Sequence, residues 1–230
     1  VEKIVPSGIK IISSDDPQVG EAWRAPIKIL GIKPQQLNKL EMASEASLPH
    51  DLQPSLLISL LAGVKLKRLT QRFPTCSCIR SVPNAPSMIG AGLTGLAYGE
   101  GVQNDDKRIV EGLFDPISEV FELPESLLDG FLALTSSGPA YVALMIEGLA
   151  DGAVASGLSR PLATELAIKT LLGTASLMQE KALHPGELKD LVASPGGTTI
   201  SALRHLEQVG FRSSLIEAVV LAAERSRELS

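Results

Sequence analysis

The sequence predicts an α/β half followed by an all-α half. Three observations carry that prediction. Up to about Gly130, short apolar runs alternate with polar, proline-bearing segments, as in βαβ units on a parallel sheet. After Glu125 the strand signals stop and helix follows helix. Aromatic residues make up only 3% of the 230 residues, so Leu, Ile, Val and Ala must build the core, which favours helix-on-helix packing through small side chains.

Val1 to Gln18 reads as a short strand and a polar connection. Ile27 to Ile32 reads as a buried strand, and Pro34 to Ala46 as a helix with Pro34 in its first turn. Apolar runs at Ser55 to Val64, Thr75 to Val82 and Leu93 to Gly99 give further strands. Helices are predicted at Ser137 to Ala155, Pro161 to Lys181, Gly186 to Val192, Thr199 to Gln208 and Ser213 to Glu228. Pro161 opens one of them, and Gly157 and Gly210 stand where helices should stop. The first two long helices are apolar on more than one face, more than a small helical domain can hide. A partner subunit is the natural cover. The pattern divides the chain into residues 1–124 and 125–230.

Composition excludes several classes. The hydrophobic fraction is 44%, the charged fraction 20% and the net charge −5, with no basic block; nucleic acid is not an expected partner. No uninterrupted apolar run reaches the roughly 18–20 residues of a membrane span, and no signal peptide is visible, so a cytoplasmic protein without membrane contact is expected. Cys76 and Cys78, without a second Cys/His cluster, are a poor zinc site and read as two small side chains on one strand face. His50, His184 and His205 lie in no ligand spacing; His184 reads as a helix-entry residue and His205 as a helix-surface one. Glu147 and Asp151 share a helix face and read as structural or interface residues before a catalytic carboxylate pair. Glu224, Arg225, Arg227 and Glu228 read as a solvated face.

Two segments are rich in glycine. Gly90-Ala91-Gly92-Leu93-Thr94-Gly95 fits G-x-G-x-x-G by letter. That motif binds a dinucleotide only between a strand and a helix, and neither flank here has that character, so a loop leading into a strand is expected. Ser194-Pro195-Gly196-Gly197-Thr198-Thr199 is the more informative stretch. Its glycines permit left-handed backbone, Thr198 or Thr199 can cap the helix that follows, and first-turn N–H groups at a positive helix end suit a carboxylate or phosphate. On local physics alone, a plain capped helix start is an equally good reading.

An ordered set of segments tips that balance. Ser-Pro-Gly-Gly-Thr-Thr-Ile at 194–200, Ser137 to Tyr141, Glu147 to Arg160, His184 to Asp190 and Gly210 to Val219 resemble the pyrroline-5-carboxylate reductase family. In the first half, Gly31 to Leu37, the ISLLAGV run and Ile79 to Pro86 resemble the family's corresponding segments. The order and spacing match across nearly the whole chain. There are departures: Thr135-Ser136-Ser137 replaces a Ser-Gly-Ser, Ala85 replaces a threonine and Val82 a methionine. The family's N-terminal glycine loop has no counterpart in this sequence, as though about forty to fifty residues of a Rossmann first unit were missing.

The resemblance implies an incomplete, N-terminally truncated Rossmann-like cofactor domain followed by a helical dimerisation and substrate-binding domain. It implies hydride transfer from NADPH or NADH to the imine of 1-pyrroline-5-carboxylate, giving L-proline. By position, Ser194 and the N–H groups of Gly197, Thr198 and Thr199 would hold the substrate carboxylate. The Thr199 hydroxyl, the catalytic candidate, would bond the ring nitrogen. Lys33, Pro34, Asn84, Ala85 and Pro86 would line the nicotinamide end of the cofactor cleft. No metal is implied. The family pairs its helical halves as a homodimer, often as a larger ring of dimers, with each site drawn from two chains. Imines of this kind protonate near neutral pH, so positioning and electrostatics should dominate over side-chain acid–base work. Without the N-terminal glycine loop the chain is expected to dimerise but to bind nicotinamide cofactor poorly, and a competing reading is a catalytically impaired dimerising relic of that family that cannot bind cofactor. A related reductase acting on 3-hydroxy acids is disfavoured, because Lys169, Lys181 and Lys189 lack that group's helical context.

Overall fold

The structure, a computed structural model, describes residues 19–38 and 54–229. It divides into two compact units: Val1–Leu132 together with Glu224–Ser230, and Ala133–Ala223. The readings of Val1 to Gln18, of the latter part of the segment after Pro34, and of His50 lie outside the described residues.

In the first unit the described strands are β1 (Ile27–Leu30), β2 (Ser55–Ser59), β3 (Cys76–Val82), β4 (Gly92–Tyr98) and β5 (Ser118–Glu122), in the order β1-β2-β3-β4-β5 across one sheet. β1, β2 and β3 run parallel, with Leu57 opposite Cys78 and Ser59 opposite Arg80. β4 runs antiparallel to β3, and β5 lies parallel to β4. The sheet is thus mostly parallel, as expected, with a single antiparallel pair at β3 and β4. The connection at residues 83–91 is too short for the crossover of about a dozen residues that a parallel pair needs, so the chain reverses.

Helix α1 (Leu66–Arg72) and helix α2 (Asn104–Phe114) complete crossovers on the two sheet faces. Leu30, Leu57, Leu61, Leu69, Phe73 and Cys78 form one core cluster, and Leu56, Ile58, Ile79, Leu96, Val110 and Phe114 the other. The alternation of Ile79 and Cys78 between these clusters follows from the strand's period of two. Burial of Leu69, fully excluded from solvent, contributes about 1.5–3 kcal/mol. After β5, a 3-10 turn at Glu125–Leu127 leads into α3 (Leu128–Thr135).

The second unit is all-helical. It holds α4 (Gly138–Ala155), α5 (Arg160–Lys181), α6 (Pro185–Val192), α7 (Thr198–Gln208) and most of α8 (Phe211–Glu228). Pro139, Pro161 and Pro185 sit in first turns, where the missing N–H costs nothing. Gly157 and Gly210 adopt positive φ at helix ends, as predicted. α4 packs on α5 through Ala150, Ala163 and Ala167, the small-residue contact that the scarcity of aromatics implied. The Tyr141 hydroxyl donates to the Ala218 carbonyl at 3.2 Å. Leu144, Leu149 and Leu172 remain exposed.

One stretch, Glu125–Ala155, is long and apolar enough by length and composition to cross a membrane. It holds no uninterrupted apolar run of that length, because Asp129, Ser136, Ser137 and Glu147 break it while leaving the mean hydropathy high. It is not one uniform helix: α3 ends at Thr135 and α4 starts anew at Gly138.

Candidate active site

In the first unit, the carboxyl ends of parallel strands carry the predicted nicotinamide-side residues. β1 runs into Gly31-Ile32-Lys33-Pro34. Pro34 opens a 3-10 turn at Pro34–Gln36, and the Gln36 side chain accepts from the Lys33 N–H at 3.0 Å, pinning the exposed Lys33 at the turn's entry. β3 runs into Pro83-Asn84-Ala85-Pro86 and a second 3-10 turn at Ala85–Ile89. The Asn84 Oδ1 accepts from the Leu93 N–H at 2.8 Å, which ties this turn to the start of β4. Lys33, Pro34, Asn84, Ala85 and Pro86 thus all follow the carboxyl ends of strands from one parallel set, where open α/β sheets bind their ligands.

The G-x-G-x-x-G match is a turn leading into a strand, as expected. Gly90 caps the 3-10 turn in the left-handed region (φ 73°), and Gly92 opens β4. A Cβ on Gly92 would lie 2.0 Å from the Ser87 Oγ and 2.8 Å from the Ile117 carbonyl. Close packing explains this glycine without a ligand.

In the second unit, α6 begins at His184, whose Nδ1 accepts from the Gly186 N–H at 3.1 Å while Glu187 accepts from the His184 N–H at 2.8 Å. This is the helix-entry role predicted for His184. α6 ends in the turn Ala193 to Gly197, with Gly196 at φ 68°. Gly197 is the residue preceding α7, and no side-chain hydrogen bond caps that helix. The expected Thr198 or Thr199 cap is therefore corrected: both threonines lie inside the first turn, where their hydroxyls cannot reach back to the N–H groups they precede. The start of α7 keeps its positive end without a side-chain cap.

Ser194 faces this helix start. A Cβ on Gly197 would lie 2.5 Å from the Ser194 Oγ, so only glycine admits the hydroxyl there. The Gly197 N–H donates to the Ser194 carbonyl at 3.0 Å. That N–H is committed to the turn, and the first-turn donors that face an anion include those of Thr198 and Thr199. Sequence reasoning missed this, because the pairing depends on the φ of Gly196.

The other candidates occupy structural positions. Asp151 pairs with Arg160 at 2.5 Å on an exposed surface. His205 is exposed on α7. Cys76 and Cys78 share a face of β3, and burial pushes the Cys78 thiol up to about 11, which makes it a poor nucleophile. No cluster of three or more metal-ligating side chains occurs among the described residues.

A Rossmann-like, mostly parallel sheet with polar turns at its strand ends, joined to a helical unit with an anion-seeking helix start, is the layout of a two-domain nicotinamide-dependent reductase. Comparison with known proteins narrows this. Residues 125–229 match the family model for pyrroline-5-carboxylate reductase dimerisation. A pyrroline-5-carboxylate reductase of Synechocystis is 46% identical over 203 residues, covering 88% of this chain and 74% of that protein. That of Glycine max is 41% identical over 223 residues, covering 97% and 79%. Among solved structures, the Plasmodium falciparum pyrroline carboxylate reductase with NADP bound aligns with a TM-score of 0.82 at 29% identity, covering 90% of this chain and 78% of that one. The Coxiella burnetii enzyme aligns at 0.79 and 32%, covering 94% and 80%. The chain belongs to the pyrroline-5-carboxylate reductase family.

Proposed function

We propose that this chain reduces 1-pyrroline-5-carboxylate to L-proline. The observation that carries the reading is the start of α7: a helix end with no side-chain cap, with the Ser194 hydroxyl packed against Gly197. Such an end attracts a carboxylate, which the substrate presents.

NADPH or NADH supplies the hydride when bound. The described residues fit the nicotinamide end of that cofactor: the turns after β1 and β3 offer exposed Lys33 and Ala85 at the carboxyl ends of parallel strands. No strand–glycine loop–helix unit for the pyrophosphate occurs among the described residues. Ser194 and the N–H groups of Thr198 and Thr199 hold the substrate carboxylate, and Gly197 lets the Ser194 hydroxyl approach. The Thr199 hydroxyl bonds the ring nitrogen and fixes the imine's orientation. Lys33, Pro34, Asn84, Ala85 and Pro86 line the nicotinamide side. No group in this set has to act as a general acid, because the iminium carries its own proton and positioning lowers the barrier.

Residues 1–124 form the cofactor-binding part and residues 125–230 the dimerisation and substrate-binding part. The enzyme is a homodimer or a larger ring of dimers, and works in the cytoplasm. Retention of both sets of site residues in order speaks against the relic reading. Isothermal titration with NADPH and with NADH, alongside turnover of 1-pyrroline-5-carboxylate, tests the proposal. Binding with turnover is expected. A stable dimer that binds neither cofactor and turns nothing over returns the relic reading.

A further inference from the structure

The strand that delivers Asn84 carries a buried charge that the reaction does not use. Arg80 lies four residues upstream on β3 and is 1% exposed. Its Nη1 lies 3.3 Å from the Glu125 Oε1, and its Nη2 lies 3.5 Å from the Asp129 Oδ1. The same Asp129 oxygen accepts from the Ser226 hydroxyl at 2.7 Å, and the same Glu125 oxygen accepts from the Leu66 N–H, at the start of α1, at 2.6 Å. Ser226 and Asp129 are themselves buried. One guanidinium thus gathers the site strand, the first turn of α1, the start of α3 and the end of α8. Glu125 and Asp129 precede the point where the chain leaves the first unit, and Ser226 follows the point where it returns.

The Nε and Nη2 atoms of Arg80 are buried without a hydrogen-bond partner, and an incompletely satisfied buried ion pair is commonly no better than apolar residues of similar volume. What the charge supplies is geometry: a forked cation meets two carboxylates in few arrangements, and those carboxylates come from segments that no local contact would align. We propose that Arg80 is a positioning residue for the reductase reaction, holding the β3 strand end with Asn84, Ala85 and Pro86 in register with the roots of both crossings to the helical unit.

The inference rests on the proposed function for its kinetic readout and on hydrogen exchange for an independent one. The variants are Arg80→Met, Glu125→Gln and Ser226→Ala in the full chain. For Arg80→Met, kcat is expected to fall at least about tenfold while the KM for NADPH changes less than about threefold, because small misplacements cost rate before they cost binding. Amide exchange at Ala85–Ile89 and Glu125–Thr135 should accelerate while β2 keeps its protection. Ser226→Ala and Glu125→Gln should move both readouts the same way by smaller factors, and Ser226→Ala should add little to Arg80→Met. Unchanged kcat and exchange in Arg80→Met overturn the proposal. If Arg80→Met does not fold, the two milder variants decide, and parent-like values in both overturn it equally. A parent protein without turnover would sink the functional reading instead, leaving exchange to decide the positioning role.

Discussion

The Thr199 hydroxyl is the smallest group on which the proposed chemistry depends. It lies inside the first turn of α7 and does not cap that helix, as the proposed bond to the ring nitrogen requires. Thr199→Val keeps the shape and removes the hydroxyl, and should lower kcat/KM by about 10- to 100-fold, roughly 1.4–2.7 kcal/mol of transition-state stabilisation. Thr199→Ser should recover most of it. Steady-state kinetics decide, and a valine variant with parental kcat/KM removes Thr199 from the reaction. Cys78 links folding to pH. Its folded pKa of about 11 lies above the ordinary 9.0, first because burial penalises the thiolate and second because Cys76 is near. Between those values the unfolded chain has lost the proton that the folded chain keeps, so stability falls as pH rises through that window. Below it the contribution is fully present. Denaturant melts from pH 8 to 11 should show a shallower alkaline decline in Cys78→Ala, and an identical slope would refute the assignment.

Among the elements, α5 ends with the one non-glycine residue at positive φ among those described: Ala182, at φ 49°. The left-handed conformation costs an alanine about 1 kcal/mol that glycine avoids. Ala182→Gly should therefore raise the melting temperature by a few degrees, by roughly 0.5–1 kcal/mol. A lower melting temperature would show that the end of α5 is held by something other than its cap. The elements also mark where sequence reading stopped short. β1 to β4 and the five helices of the second half were legible from apolar runs and Pro/Gly punctuation. β5 was not, because SEVFE is short and half exposed. Nor was α3, which merges with α4 in any hydropathy profile, or α1, a helix of seven residues buried chiefly through Leu69. The reversal at β4 depends on loop length, which apolar patterning does not report.

For the whole molecule, the exposed leucines of the helical unit call for a partner. Leu144 is 69% exposed and Leu172 66%, on helices that lie in the family's dimerisation region. A charged residue inside such an interface is costly to bury. Leu144→Glu should shift the assembly toward monomer and lower turnover with it, as read by sedimentation and activity at matched concentration. A dimer of parental strength would place Leu144 outside the interface.

Much of the candidate site is a matter of local sequence. The Ser-Pro-Gly-Gly turn, the threonines after it and the Lys-Pro and Asn-Ala-Pro segments are local patterns, and local patterns survive in one dimension because turns and helix starts are made by neighbouring residues. Only the tertiary structure decided which donors the turn leaves open, since the Gly197 N–H is taken by the Ser194 carbonyl through a left-handed Gly196. Only it brought Arg80 to Glu125 and Asp129, and Asp129 to a serine 97 residues away. Pairings of that range leave no periodicity to read, because they depend on which sheet face the helices return to cover.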